Sequence, residues 1–278
     1  KNYTTFKIGG KAKYFFVAKN KKDLMKAILI AKKIKLPFFI LGGGSNLLFS
    51  DKGFKGLVVK CQMSNIKCQK NKIYAEAGVL LSNLVNVSIK KSLIGLEWAA
   101  GIPGTLGGAV YGNTGWPSNK KNISAAIESI DVLKVSSVSK IEKFKLKDCQ
   151  FGYRDSVFKN NKKLIILSAV LKFKKGNKEK IKKTISVILN KRKVKIPPGF
   201  SAGSVFKNPP GFFAGKLIEK CGLKGKKNGN VKISEKHANF IINLGKGKAK
   251  DVKKLRNLAK KKVKNRSGRP KKNLLFLR

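Results

Sequence analysis

Acidic side chains are scarce in this chain of 278 residues: 13 Asp and Glu stand against 64 Lys and Arg, a formal net charge of +51 at pH 7. Histidine is scarcer still, with His237 alone. One histidine argues against a Cys/His zinc cluster. It also lies in a different segment from the candidate serine discussed below, so no hydrolase triad is legible, and a structural role is expected of it. Four cysteines, Cys61, Cys68, Cys149 and Cys221, show no C-x-x-C spacing. They read as free thiols, and no metal site is expected. No run approaches the roughly 18 apolar residues of a membrane span. The most apolar stretch, Leu164–Phe173, is interrupted by Ser168 and Lys172 and reads as a buried strand. The first residues hold no apolar signal core, so a cytoplasmic protein without membrane insertion is expected.

Arginine is also in short supply. It occurs only as Arg154, Arg192, Arg256, Arg266, Arg269 and Arg278, so lysine supplies nearly all the positive charge. The lysines are scattered along the chain, without the interleaved aromatics of a single-stranded nucleic-acid groove. Solvated lysine-rich faces are the favoured reading and no specific nucleic-acid partner is expected. A non-specific polycation is a remote alternative. A positive field would nonetheless draw in any phosphate-rich ligand.

What is present suffices for a folded enzyme. Hydrophobic residues make up 42% of the chain, enough for a core, and the length allows about two domains by the ~150-residue prior. The pattern predicts strands at Ala12–Ala18, Pro37–Leu41, Leu47–Ser50, Leu57–Lys60, Ile73–Ala77, Ile127–Val135, Ser139–Lys145, Leu164–Phe173 and Phe240–Asn243. Helices are predicted at Lys22–Lys33, Leu81–Lys91, Lys178–Val194, Gly215–Cys221 and Ala249–Val263. Pro197-Pro198-Gly199 is the clearest boundary. The class is α+β, without internal repeats.

Two glycine-rich stretches carry the first chemical signal. Gly42-Gly43-Gly44-Ser45-Asn46 follows a short apolar strand, and Gly101–Gly115 contains Gly101, Gly104, Gly107 and Gly108. Glycine lets backbone N–H groups approach a ligand closely, and such nests suit diphosphates. Neither stretch is a Walker loop or a G-x-G-x-x-G fingerprint. Either alone could be a tight turn; the pair favours a ligand. Arg154, in Phe151-Gly152-Tyr153-Arg154-Asp155-Ser156, is the only arginine in the first 191 residues. A planar fork that binds carboxylate or phosphate cannot be replaced by lysine. The bland alternatives are a pair with Asp155 or a stack on Tyr153. Ser204 sits between Gly203 and the Lys207-Asn208-Pro209 segment, and alone reads as a turn serine.

Six segments in order make the signal specific: Thr4–Gly10, Leu41–Leu48, Gly101–Gly112, Phe151–Ser156, Ala202–Pro209 and Ser234–Asn243. Together they resemble the UDP-N-acetylenolpyruvoylglucosamine reductase (MurB) family of peptidoglycan synthesis, in its shorter form. The resemblance implies a two-part FAD-binding region of the vanillyl-alcohol-oxidase-like (PCMH) type, at 1–58 and 59–176. A connecting helix at 177–194 and an α+β substrate-binding domain at 195–278 would follow. It implies a monomeric oxidoreductase in which NADPH reduces FAD and hydride then passes to C3 of an enolpyruvyl UDP-sugar. Arg154 would stabilise the enolate at C2 and Ser204 would protonate it. Tyr153, Lys207 and Asn208 would bind substrate. Gly42, Gly43, Gly44, Ser45, Asn46 and Leu47, then Gly101, Pro103, Gly104, Gly107, Gly108, Ala109 and Asn113, would contact FAD.

The chain departs from the family pattern in two places. Thr114-Gly115-Trp116-Pro117 replaces the usual segment after the second glycine stretch, and Leu274 falls where the family has a glutamate that assists the enolate step. The last acidic residue is Asp251. An FAD-binding relative with impaired turnover is therefore the alternative reading.

Overall fold

The computed structural model describes residues 1–116, 121–136 and 139–267. Contacts divide the chain into two units. The larger holds Tyr14–Gly43 and Gly56–Lys191; the smaller holds Lys1–Lys13, Gly44–Lys55 and the chain from Arg192 onward.

The first elements follow the local sequence closely. After β1 (Ala12–Ala18), the Asn20 side chain accepts the Asp23 N–H at 2.8 Å and starts α1 (Lys21–Lys33). This N-cap satisfies one of the helix's orphan donors. Leu24, Ala27, Ile28 and Ala31, spaced i, i+3, i+4 and i+7, form its buried face. The chain returns as β2 (Phe38–Leu41), and β3 (Phe54–Cys61) runs parallel to it with Leu41 opposite Lys60. The sheet order is β1-β3-β2.

Next come β4 (Ile66–Gln69), β5 (Lys72–Glu76), α2 (Leu81–Lys90), β6 (Leu93–Ile94) and α3 (Leu106–Tyr111). They are followed by β7 (Gly115–Trp116), β8 (Lys121–Asn122), β9 (Ile127–Lys134), β10 (Lys140–Lys145), α4 (Val157–Asn160) and β11 (Leu164–Lys172). A five-stranded antiparallel sheet in the order β10-β9-β11-β5-β4 forms the frame of this part. β11 is buried on both of its faces, which explains why its run is apolar with almost no alternation. Its one interior hydroxyl, Ser168, is fully buried and donates to the Asp131 carboxylate at 2.6 Å. Lys21 pairs with the same carboxylate at 3.2 Å. The ammonium and the hydroxyl bonds hold the Asp131 carboxyl below its ordinary range although burial opposes them.

β12 (Lys174–Lys175) pairs with β6, and α5 (Lys178–Lys195) buries Ile181 and Ile185. The smaller unit contains α6 (Ala214–Lys220), β13 (Lys227–Asn228), β14 (Val231–Ile233), β15 (Ile241–Asn243) and α7 (Ala249–Ser267). Phe6, Ile8, Val205, Phe206, Ile218, Ile233, Val252 and Leu255 belong to its core. All four cysteines are free. Among the described residues no helix is long and apolar enough to cross a membrane, and no three His, Cys, Asp or Glu side chains could hold a metal.

Two expectations are corrected. Leu47–Ser50 is not a strand: the Ser50 carbonyl accepts the N–H groups of Gly10 and Gly53, which closes a turn where strand pairing was expected. The second glycine stretch is not loop throughout, because residues 106–111 form α3. Two glycines lower helix propensity there, but Thr105 caps the helix and Gly107 allows it to approach β5. A Cβ on Gly107 would lie 2.9 Å from the Ala77 Cβ.

Candidate active site

The two glycine stretches meet in the larger unit. β2 ends at Leu41 and delivers Gly42 and Gly43 against the residues that precede α3. A Cβ on Gly43 would lie 2.7 Å from the Gly104 Cα, and one on Gly42 would lie 2.6 Å from the Thr105 Oγ1. Gly101 and Gly104 take φ of 73° and 135°, in the region closed to most side chains. Among the described residues no hydrogen bond uses the N–H of Gly43 or of Gly104. Behind them, the half-buried Lys60 ammonium donates to the Gly42 carbonyl, and burial lowers its pKa. Spare N–H groups at a glycine junction, backed by a cation, fit the diphosphate of FAD.

Not every glycine in the stretch presents its N–H. Those of Gly107 and Gly108 go to the Ala77 carbonyl at 2.8 Å and the Thr105 Oγ1 at 3.4 Å, and that of Ala109 to the Thr105 carbonyl at 2.9 Å. Gly101 and Pro103 are exposed. The rest of the first loop belongs to the smaller unit. There Gly44 takes φ of 66° with its carbonyl accepting the Thr5 N–H at 3.2 Å. Ser45 and Leu47 are half-buried.

Arg154 lies in the larger unit on a turn closed by reciprocal Gly152 and Asp155 backbone bonds of 3.1 and 3.2 Å. Its own φ is 55°, an uncommon conformation for a non-glycine residue that is often functional. The guanidinium donates to the Asn113 carbonyl at 3.1 Å and to the Gly115 carbonyl, and burial lowers its pKa. Neither carbonyl neutralises it. Asp155 accepts the Ser156 N–H at 3.0 Å, and no ion pair joins it to Arg154 among the described residues. Tyr153, half-exposed, places its ring centroid 5.6 Å from the guanidinium carbon. The Asn113 amide donates to the Gly152 carbonyl at 2.9 Å, and its oxygen accepts the Ser124 N–H at 3.4 Å. Asn113 thus ties the Arg154 turn to the end of the second glycine stretch. Two of the five guanidinium donors are used, so the group can still grip an anion.

Ser204 lies in the smaller unit, bridged to Phe240. Beside it is a small cavity of about 20 Å³, lined by Phe6, Asn46, Leu48, Ala202, Val205 and Val252. The Asn46 amide donates to the Ala202 carbonyl at 2.7 Å, and the Thr5 hydroxyl to the Ser201 carbonyl at 2.7 Å. Three segments the sequence marks separately (Thr4–Gly10, Leu41–Leu48 and Ala202–Pro209) are joined here. Lys207 and Asn208 are half-buried, and the Asn208 side chain accepts the Ala214 N–H at 3.0 Å at the start of α6.

Asn239 had no assigned role in the sequence. Its buried amide pairs with both the N–H and the carbonyl of Phe206, each at 2.9 Å, while its own carbonyl takes the Val205 N–H at 2.8 Å. It holds the segment that carries Ser204 as a neighbouring strand would. Asn239→Ala is expected to lower stability by about 1–3 kcal/mol, since two backbone groups lose partners in a buried place; urea unfolding measures it. The His237 Nδ1 accepts the Asn239 N–H at 3.2 Å, and burial lowers the pKa of the ring. Leu274 lies outside the described residues.

Comparison with known proteins places the chain in a family. Residues 12–137 match the FAD binding domain family, and residues 197–270 match the family described as UDP-N-acetylenolpyruvoylglucosamine reductase, C-terminal domain. The UDP-N-acetylenolpyruvoylglucosamine reductase of Caldanaerobacter subterraneus subsp. tengcongensis is 43% identical over 96% of this chain and 88% of its own length. That of Clostridium novyi is 41% identical over 96% and 86%. The crystal structure of the reductase from Thermus caldophilus superposes with a TM-score of 0.83 at 33% identity, covering 99% of this chain and 94% of that one. The chain is an FAD-binding oxidoreductase of the α+β class, with an FAD-binding region followed by the C-terminal domain of the reductases. It belongs to the UDP-N-acetylenolpyruvoylglucosamine reductase family.

Proposed function

We propose that the chain reduces the enolpyruvyl group of UDP-N-acetylglucosamine enolpyruvate to the lactyl ether of UDP-N-acetylmuramate, with NADPH as reductant, in the cytoplasmic stage of peptidoglycan precursor synthesis. The observation that carries this is identity above 40% to named reductases across 96% of the chain. The Gly43 and Gly104 N–H groups would hold FAD, which would supply the redox chemistry that links NADPH to C3 of the substrate. Arg154 holds a positive charge that its carbonyl partners leave intact, which suits the enolate that develops at C2 and its carboxylate. Ser204 donates the proton to C2, held in place by the Asn46, Thr5 and Asn239 contacts around its segment. Lys207, Asn208 and Tyr153 contact the sugar nucleotide.

Within this reading, 1–58 and 59–176 serve FAD and 195–278 serves the substrate. The expected result is a yellow protein whose flavin absorbance is bleached by NADPH and restored by the enolpyruvyl substrate, followed in a stopped-flow spectrometer. A colourless chain that takes up no FAD overturns the proposal. Bleaching without restoration limits it to the flavin half-reaction and favours a relative with lost turnover.

A further inference from the structure

The charge that the glycine junction needs is already built into the larger unit, on a residue to which neither motif nor resemblance assigns a role. A diphosphate carries negative charge that neutral N–H groups alone compensate poorly in a partly buried place. Lys60 is the side chain behind the junction. The parallel register of β2 and β3 puts Lys60 opposite Leu41, the residue before Gly42. Its ammonium reaches the Gly42 carbonyl, and among the described residues no carboxylate pairs with it. Most lysines of this chain lie in open solvent at no such cost; Lys60 is half-buried. Across a trans peptide, the carbonyl of one residue and the N–H of the next point in opposite directions. Fixing the Gly42 carbonyl on Lys60 therefore turns the Gly43 N–H toward the opposite edge of the same peptide plane, where no acceptor takes it among the described residues.

We propose that Lys60 is the positioning cation of the FAD-diphosphate cradle: it orients the Gly42–Gly43 peptide toward the cofactor and supplies the charge behind it. The assignment deepens the FAD-binding reading and rests on it. One ammonium thereby does two things, ordering a loop that glycine would otherwise leave flexible and favouring an anion over a neutral ligand.

The test is titration of the full-length chain, freed of bound flavin, with FAD and with riboflavin, which lacks phosphate. Lys60→Met is expected to weaken FAD roughly 10–100-fold, the loss of a charge-assisted bond, and to change riboflavin affinity less than about 2-fold. Lys60→Arg restores most of the FAD affinity, because charge and donor return. Lys60→Gln, which keeps a donor without charge, falls between the two, and it replaces Lys60→Met if that variant does not fold. Equal losses for FAD and riboflavin, or none for FAD, overturn the assignment. A wild-type chain that binds no FAD overturns the cofactor reading itself.

Discussion

Arg154→Lys is expected to slow flavin reoxidation by the enolpyruvyl substrate about 100–1,000-fold, the usual cost of removing one preorganised donor from a developing oxyanion. The formal charge is unchanged, and either residue at position 154 bears the same cost of φ near 55°. What is lost is the fork. Arginine spends two donors on the Asn113 and Gly115 carbonyls and retains three in a fixed plane. A lysine ammonium that satisfies those carbonyls has at most one donor left and no planar grip on a carboxylate. Flavin reduction by NADPH and the visible spectrum should stay close to wild type, because the Gly42–Gly43 and Gly104–Thr105 junction is untouched. Stopped-flow traces separate the two half-reactions. Equal slowing of both would reduce Arg154 to a structural clamp of its turn, and wild-type reoxidation would remove it from the chemistry.

Gly43→Ala should release FAD. The new Cβ meets the Gly104 Cα at 2.7 Å, and that neighbour is backbone, with no flexible side chain to swing aside. The junction must open, at a cost of about 1–3 kcal/mol for overpacking, and the spare N–H groups separate. An affinity loss of roughly 100-fold or more follows if the diphosphate needs both at once. Gel filtration followed by absorbance of the retained flavin measures it. A variant that keeps stoichiometric FAD at wild-type affinity would show that the diphosphate rests elsewhere. Gly43 itself has no positive φ, so the effect isolates steric approach from backbone strain.

Legibility in the sequence followed the range of the interactions. α1 was readable because its cap and its apolar stripe repeat within one helix. β11 was readable because a strand buried on both faces has a nearly continuous apolar run, broken here only by Ser168 before Lys172 ends it. α3 was hidden because Gly107 and Gly108 lower local helix propensity, and the packing on Ala77 that compensates is distant in sequence. Arg154 could be picked out because arginine is rare before residue 192. Its carbonyl partners 39 and 41 residues away could not.

The sequence by itself determined the α+β class, the family and the residue types available for chemistry: glycines for close approach, one early arginine, a serine in a rigid segment. These are properties of composition and order, and six short motifs preserve them. Only the tertiary structure decided which groups within each unit meet. It packed Gly43 on Gly104, set Lys60 under Gly42 through a strand register, and gave Asn239 the Phe206 backbone to hold. The physical reason is that hydrogen bonds and close approaches between residues tens of positions apart exist only once the chain has folded.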